Sequence, residues 1–111
     1  MTDIISSVYE VIQERKNHSA ETSYVASLLA GGVDAIGSKI TEEAGELLEA
    51  ADGDDAAHTV HEAADLLFHM LVLLGHKDIG PEQVLDELAR RFGTSGIAEK
   101  AARAGKGVSD A

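Results

Sequence analysis

Four acidic residues are spaced so that they can meet. Glu43 and Glu46 stand three positions apart, and so do Glu62 and Asp65. Each pair falls in a stretch whose apolar residues recur with helical period, so each offers two carboxylates one turn apart on one helix. The two stretches are joined by Asp52-Gly53-Asp54-Asp55, a turn short enough for the helices to pack antiparallel and bring the pairs face to face. Like charges crowded together are unfavourable unless something neutralises them. A hard divalent cation with oxygen ligands does so, and Mg²⁺ binds best when waters and substrate phosphates complete its shell. The arrangement therefore points to a cradle for a metal–diphosphate group.

The neighbouring residues sharpen this choice. In the third predicted helix Val33, Ile36, Ile40, Ala44 and Leu47 form one apolar stripe. At about 100° per residue, Lys39, Glu43 and Glu46 lie along one flank of it, while Glu42 and Glu49 turn towards solvent. His58, His61 and His69 stand at helical spacing around Glu62 and Asp65. The competing reading is a pair of solvated acidic faces, for which a single such pair would be ordinary. Two pairs on consecutive helices, each at the border of the apolar face, favour the metal site. A di-iron carboxylate bundle wants Glu-x-x-His pairs. The nearest approach is Asp55-Ala-Ala-His58, where Asp55 reads better as a helix cap.

The elements that must position these residues are helices, since Ala and Leu are frequent, aromatics few and Pro81 is the one proline. An amphipathic helix starts at Asp3, has Ile4, Ile5, Val8, Val11 and Ile12 as its apolar side, and ends near Asn17-His18. Ser23 caps a short second helix that runs through Leu28-Leu29 and is closed by Gly31-Gly32. The third spans about Val33 to Ala51, and the fourth about Asp55 to His76. Gly80-Pro81 resets the chain for a helix through Arg91. Gly93-Thr-Ser-Gly96 breaks it, and Ile97 to Arg103 add a turn or two. Residues 1–104 make one all-α domain, and 105–111 are expected to be a disordered tail.

Between Leu66 and Leu74 the fourth helix is apolar nearly all the way round. A helix in a small monomer needs a polar stripe facing water. Burying one side against its own chain and the other against a second copy resolves the conflict. A homodimer with a shared helical core is therefore expected, as the limited core of a domain this short also suggests.

Charge and composition exclude several function classes. With 20 acidic against 9 basic residues the net charge is −11, which argues against nucleic acid or anionic membrane as a partner. The absence of cysteine removes disulfides, Cys₄ zinc sites and thiol catalysis. No apolar run approaches the roughly 20 residues of a membrane span, and no signal-peptide pattern opens the chain, so a cytoplasmic protein is expected.

At these same residues the sequence resembles a known family. Glu43-x-x-Glu46 followed by Glu62-x-x-Asp65 matches the ExxE…ExxD signature of the all-α, MazG-like nucleoside triphosphate pyrophosphatases. More narrowly it resembles the phosphoribosyl-ATP pyrophosphohydrolases of histidine biosynthesis. Thr22-Ser-Tyr-Val-Ala-Ser-Leu-Leu is similar to their amino-terminal segment. Lys39-Ile-Thr-Glu-Glu-Ala-Gly-Glu and His61 to Leu74 are similar to their central helices, and Asp86 to Arg91 and Ser95 to Arg103 to their carboxy-terminal end. Ser27 departs from the pattern, standing where many members have Lys, and Gly37 interrupts the third helix.

The resemblance implies a MazG-like homodimeric helical bundle that hydrolyses the α–β phosphoanhydride of phosphoribosyl-ATP. The products would be phosphoribosyl-AMP and pyrophosphate, in the second step of histidine biosynthesis. It assigns Mg²⁺ to Glu43, Glu46, Glu62 and Asp65, with Glu42 as a further acid that could orient water. Lys39 is weighed equally as an ion pair and as a phosphate contact. Tyr24 and Ser23 are candidates for base or ribose, His69 for a site role, and Lys100, Arg91 and Arg103 for positive charge from the terminal segment. Two alternatives remain open: a house-cleaning nucleoside triphosphate pyrophosphatase, and a non-catalytic helical dimerisation module.

Overall fold

The structure is a computed structural model that describes residues 3–93. It is all-helical over that range, with α1 at Ile4–Arg15, α2 at Tyr24–Asp52, α3 at Ala56–His76 and α4 at Pro81–Phe92. Two compact units are present, Met1–Ile79 with α1 to α3 and a second that begins at Gly80 and carries α4.

The first three helices start where a side chain supplies a cap. The Asp3 carboxylate accepts from the Ile5 amide, the Ser23 hydroxyl from Ala26, and Asp55 from both Ala57 and His58. Each satisfies a backbone N–H that the first helical turn leaves open. Pro81 opens α4, where its missing N–H is no loss. Helix α1 stops at Arg15, a little short of the expected end.

The short second helix and long third helix expected from sequence form one element joined at a corner. Gly32 takes φ 68° and ψ −160°, a backbone region essentially reserved for glycine. Helical residues continue on both sides of it, and the helix also passes straight through Gly37, which does not interrupt it. The apolar stripe is consequently less uniform than periodicity implies. Ile36 is fully buried, yet Val33, next to the corner, is 51% exposed.

Ile12, Leu28, Ile36, Leu71 and Val72 form the core of the first unit, with Ile5, Val8, Leu29, Ile40 and Phe68 packed around it. Helices α2 and α3 make the main packing, as a three-residue connection demands, and α1 lies against α3. Gly75 lets α1 come close to α3, because a Cβ there would stand 2.9 Å from Ile12 Cγ2. Just past α3, Asp78 adopts φ 57°, a left-handed conformation that Asp tolerates better than most residues. Its carboxylate accepts from Lys16 Nζ at 2.6 Å, tying the end of α1 to the end of α3. That bond and the lysine charge hold the Asp78 carboxyl below its ordinary range.

Candidate metal and active site

The carboxylates meet where α2 and α3 run side by side. Glu43 is 6% exposed and Glu62 8%, so both acids lie deeper than the border of the apolar face. Glu46 is half-buried beside them, close enough for its carboxyl to be influenced by Glu43 on its own helix and Glu62 across the interface. Desolvation pushes the Glu46 carboxyl above its ordinary value, and the Glu43 charge and hydrogen bond push the same way; contact with Glu62 opposes them. Across the helices Glu46 thus comes close to Glu62, while each helix gathers its own group of acids.

Two oxygens in this cluster lack partners. Glu43 Oε1 and Glu62 Oε1 are both buried, and neither has a hydrogen-bond partner in the structure. A buried carboxylate oxygen without a partner is costly. Two of them on facing helices make a donor set that suits a hard cation. Ligand atoms of Glu42, Glu43 and Glu46 lie within 4.8 Å of one another, and so do those of His61, Glu62 and Asp65.

The expected solvent-facing acids are exposed, both Glu42 and Glu49. Glu42 nonetheless reaches the cluster from its outer edge, because the side chain is long enough to bring its oxygen alongside Glu43. Lys39 sits between them, 3.4 Å from Glu42 and 3.8 Å from Glu43. Burial pulls the Lys39 ammonium down, but Tyr24, Glu42 and Glu43 outweigh that and leave it above the ordinary lysine value. On α3, His58 lies 3.4 Å from Glu62 and His61 3.4 Å from Asp65. The i, i+4 spacing of both pairs was visible in the sequence, although His69 carried more weight there.

His69 is 4% exposed and does not point at the carboxylates. Its Nε2 is 2.8 Å from the Tyr24 hydroxyl and its Nδ1 is 2.8 Å from the Asp65 carbonyl oxygen. Tyr24 is 52% exposed, and its hydroxyl end feels the charges of Lys39, Glu43, Glu42 and Asp65. Partial burial pushes the phenol up, Lys39 pulls it back, and the three acids add to the rise. Nothing in the sequence pairs these two residues, which stand 45 positions apart.

Ser23 spends its hydroxyl oxygen on the α2 cap and, with Arg15, Thr22, Tyr24 and Val25, lines a shallow pocket. On α4, Arg91 Nε donates to Glu87 at 3.0 Å. Lys100 and Arg103, the terminal turn from Ile97 and the tail at 105–111 lie outside the described residues.

Relatives of known name share these residues' context. A model of the family described as phosphoribosyl-ATP pyrophosphohydrolase matches residues 5–92. A phosphoribosyl-ATP pyrophosphatase of Geobacter metallireducens is 57% identical over 101 residues, covering 91% of this chain and 93% of the relative. One from Neisseria meningitidis is 51% identical over 100 residues, covering 90% and 94%. A histidine biosynthesis bifunctional protein of Helicobacter hepaticus is 51% identical over 100 residues, which span 43% of its length. With a match across the helices that carry Glu43, Glu46, Glu62 and Asp65, the chain belongs to the phosphoribosyl-ATP pyrophosphohydrolase family.

Proposed function

We propose that this enzyme hydrolyses the α–β phosphoanhydride of phosphoribosyl-ATP, with Mg²⁺ held by Glu43, Glu46, Glu62 and Asp65. The observation that carries the metal assignment is the pair of buried, unpartnered oxygens, Glu43 Oε1 and Glu62 Oε1. All-oxygen donors suit a hard cation, and carboxylates with water and phosphate suit Mg²⁺ better than softer metals. The substrate comes from the names of the relatives, which act on phosphoribosyl-ATP or belong to histidine biosynthesis. The catalytic domain is taken as residues 1–104, and the reaction as a cytoplasmic step of that pathway.

A water oxygen attacks the α-phosphorus, the bond to the α–β bridging oxygen breaks, and pyrophosphate leaves with the bonding pair. When bound, Mg²⁺ neutralises phosphate charge and lowers the pKa of water. The chain's own residues fix the geometry. Glu43 and Glu46 from α2 and Glu62 and Asp65 from α3 present convergent oxygens on rigid helices. Glu42, at the outer edge with an exposed carboxylate, is placed to orient the attacking water. Lys39, already beside Glu42 and Glu43, brings positive charge to where a phosphate would approach. Tyr24 and Ser23, and Lys100 from the terminal segment, complete the proposed substrate contacts.

The apolar face left by one chain supports a homodimer. Leu67 and Met70 on α3 are each 42% exposed, and Ile4, Ile5, Val8, Ala64, Leu67, Phe68 and Leu71 line an open apolar groove. A second copy covering this face completes the core that the all-round apolar run demands.

Purified protein incubated with Mg²⁺ and phosphoribosyl-ATP, ATP, dUTP or dCTP tests the function. Pyrophosphate release from phosphoribosyl-ATP well ahead of the others is expected. Faster turnover of the ordinary triphosphates would remove the histidine-pathway substrate, and no release from any would favour a binding module.

A further inference from the structure

His69 has both ring nitrogens engaged, and the two bonds together fix a direction. Nδ1 lies 2.8 Å from the backbone carbonyl oxygen of Asp65. A carbonyl only accepts, so Nδ1 carries the hydrogen, and in the Nδ1–H tautomer Nε2 presents a lone pair. The Tyr24 hydroxyl, 2.8 Å from that nitrogen, therefore donates to it. Edge-on ring contacts hold the imidazole in place: Tyr24 at 5.8 Å between centroids and 87°, Phe68 at 5.1 Å and 79°.

The phenol proton thus points at His69, and the oxygen turns only lone pairs to its other neighbours. Through the imidazole, this oxygen is linked to Asp65, so it stands one ring away from a residue of the carboxylate cluster. An oxygen that only accepts is mismatched to a phosphate oxygen, which only accepts as well. It matches a hydrogen-bond donor, such as an O–H group. We infer that His69 is a positioning residue, which commits the Tyr24 proton and so makes Tyr24 an acceptor for an O–H group of the substrate's sugar or of the attacking water. The inference rests on the proposed pyrophosphohydrolase reading and gives roles to two residues outside the carboxylate set.

The test joins kinetics to spectroscopy. In ¹⁵N-labelled wild-type protein, long-range ¹H–¹⁵N correlations should show His69 as the neutral Nδ1–H form; the Nε2–H form or an imidazolium at assay pH would overturn the inference. Tyr24→Phe keeps the ring and removes the oxygen, and kcat/KM for phosphoribosyl-ATP should fall about tenfold, the effect of one lost hydrogen bond of ordinary strength. His69→Leu should fall similarly, His69→Gln should recover part of the loss through its amide oxygen, and the double variant Tyr24→Phe/His69→Leu should be little worse than Tyr24→Phe. A loss in kcat at saturating substrate assigns the donor to water, and a rise in KM with kcat kept assigns it to a sugar hydroxyl. Wild-type rates in Tyr24→Phe would overturn the inference. Failure of the wild type to release pyrophosphate would instead sink the proposed reaction, leaving the spectroscopic result to stand separately.

Discussion

Glu46 on α2 lies near enough to Glu62 on α3 for the two carboxyls to act on each other across the helix interface. Carboxylates crowded together favour a proton or a cation among them.

The metal-free protein should therefore depend on pH in a particular direction. The folded-state Glu46 carboxyl is raised above its ordinary value of 4.5, chiefly by desolvation and by Glu43. Below 4.5 both folded and unfolded chains hold this proton. As pH climbs through 4.5 the unfolded chain releases it first, so folding stability declines until the raised value is passed. Thermal melts with a chelator should show this decline in wild type, and Glu46→Gln should lack it. Mg²⁺ should remove the decline and release protons on binding, measurable by calorimetry in buffers of different ionisation enthalpy.

Charge removal at the cluster should separate activity from stability. Glu62→Gln is expected to lower turnover by more than about 100-fold, beyond the 10–100-fold typical of residues that only support a ligand. The same variant should melt no lower than wild type in chelator, because it removes one of the crowded charges. Glu49→Gln, at an exposed position on α2, should leave turnover nearly intact. Equal losses in the two variants would place the site elsewhere.

Two glycines carry backbone demands that substitution should reveal. Gly32→Ala forces a side chain into a region reserved for glycine and should cost about 1–3 kcal/mol in urea denaturation. Gly75→Ala gains helix propensity, just under about 1 kcal/mol, but drives a Cβ to 2.9 Å from Ile12 Cγ2. Overpacking costs of about 1–3 kcal/mol outweigh that gain, and the variant should be less stable by about 1 kcal/mol.

Oligomeric state tests the apolar face. Light scattering at micromolar concentration should give a dimer for wild type and a monomer for Met70→Glu, which places a charge on the exposed side of α3. A monomeric wild type would end the shared-core proposal.

Much of this was legible along the chain, for reasons that are local. Asp3, Ser23, Asp55 and Pro81 mark helix starts because capping chemistry acts within a few residues. The proposed ligands Glu43, Glu46, Glu62 and Asp65 were selected by helical spacing and a short turn. What escaped depends on three-dimensional closure. The depth of Glu43 depends on how α3 packs over α2, and Val33 is exposed beside the Gly32 corner, neither of which a straight helical wheel includes. The Tyr24–His69 bond links the first turn of α2 to the middle of α3, residues 45 positions apart. Glu42 looked distant because angular counting ignores the reach of a four-atom side chain.

The corner at Gly32 divides α2 into two segments with separate duties. One holds Tyr24 against His69, and the other carries Lys39, Glu42, Glu43 and Glu46. A straight helix would have tied the orientation of both groups to a single axis. With the joint in place, changes near the corner can re-aim the Tyr24 segment while the acids beyond it keep their register on α3. On the proposed reading, a designer altering how substrate is received should start with residues before Gly32 and leave the carboxylates after it alone.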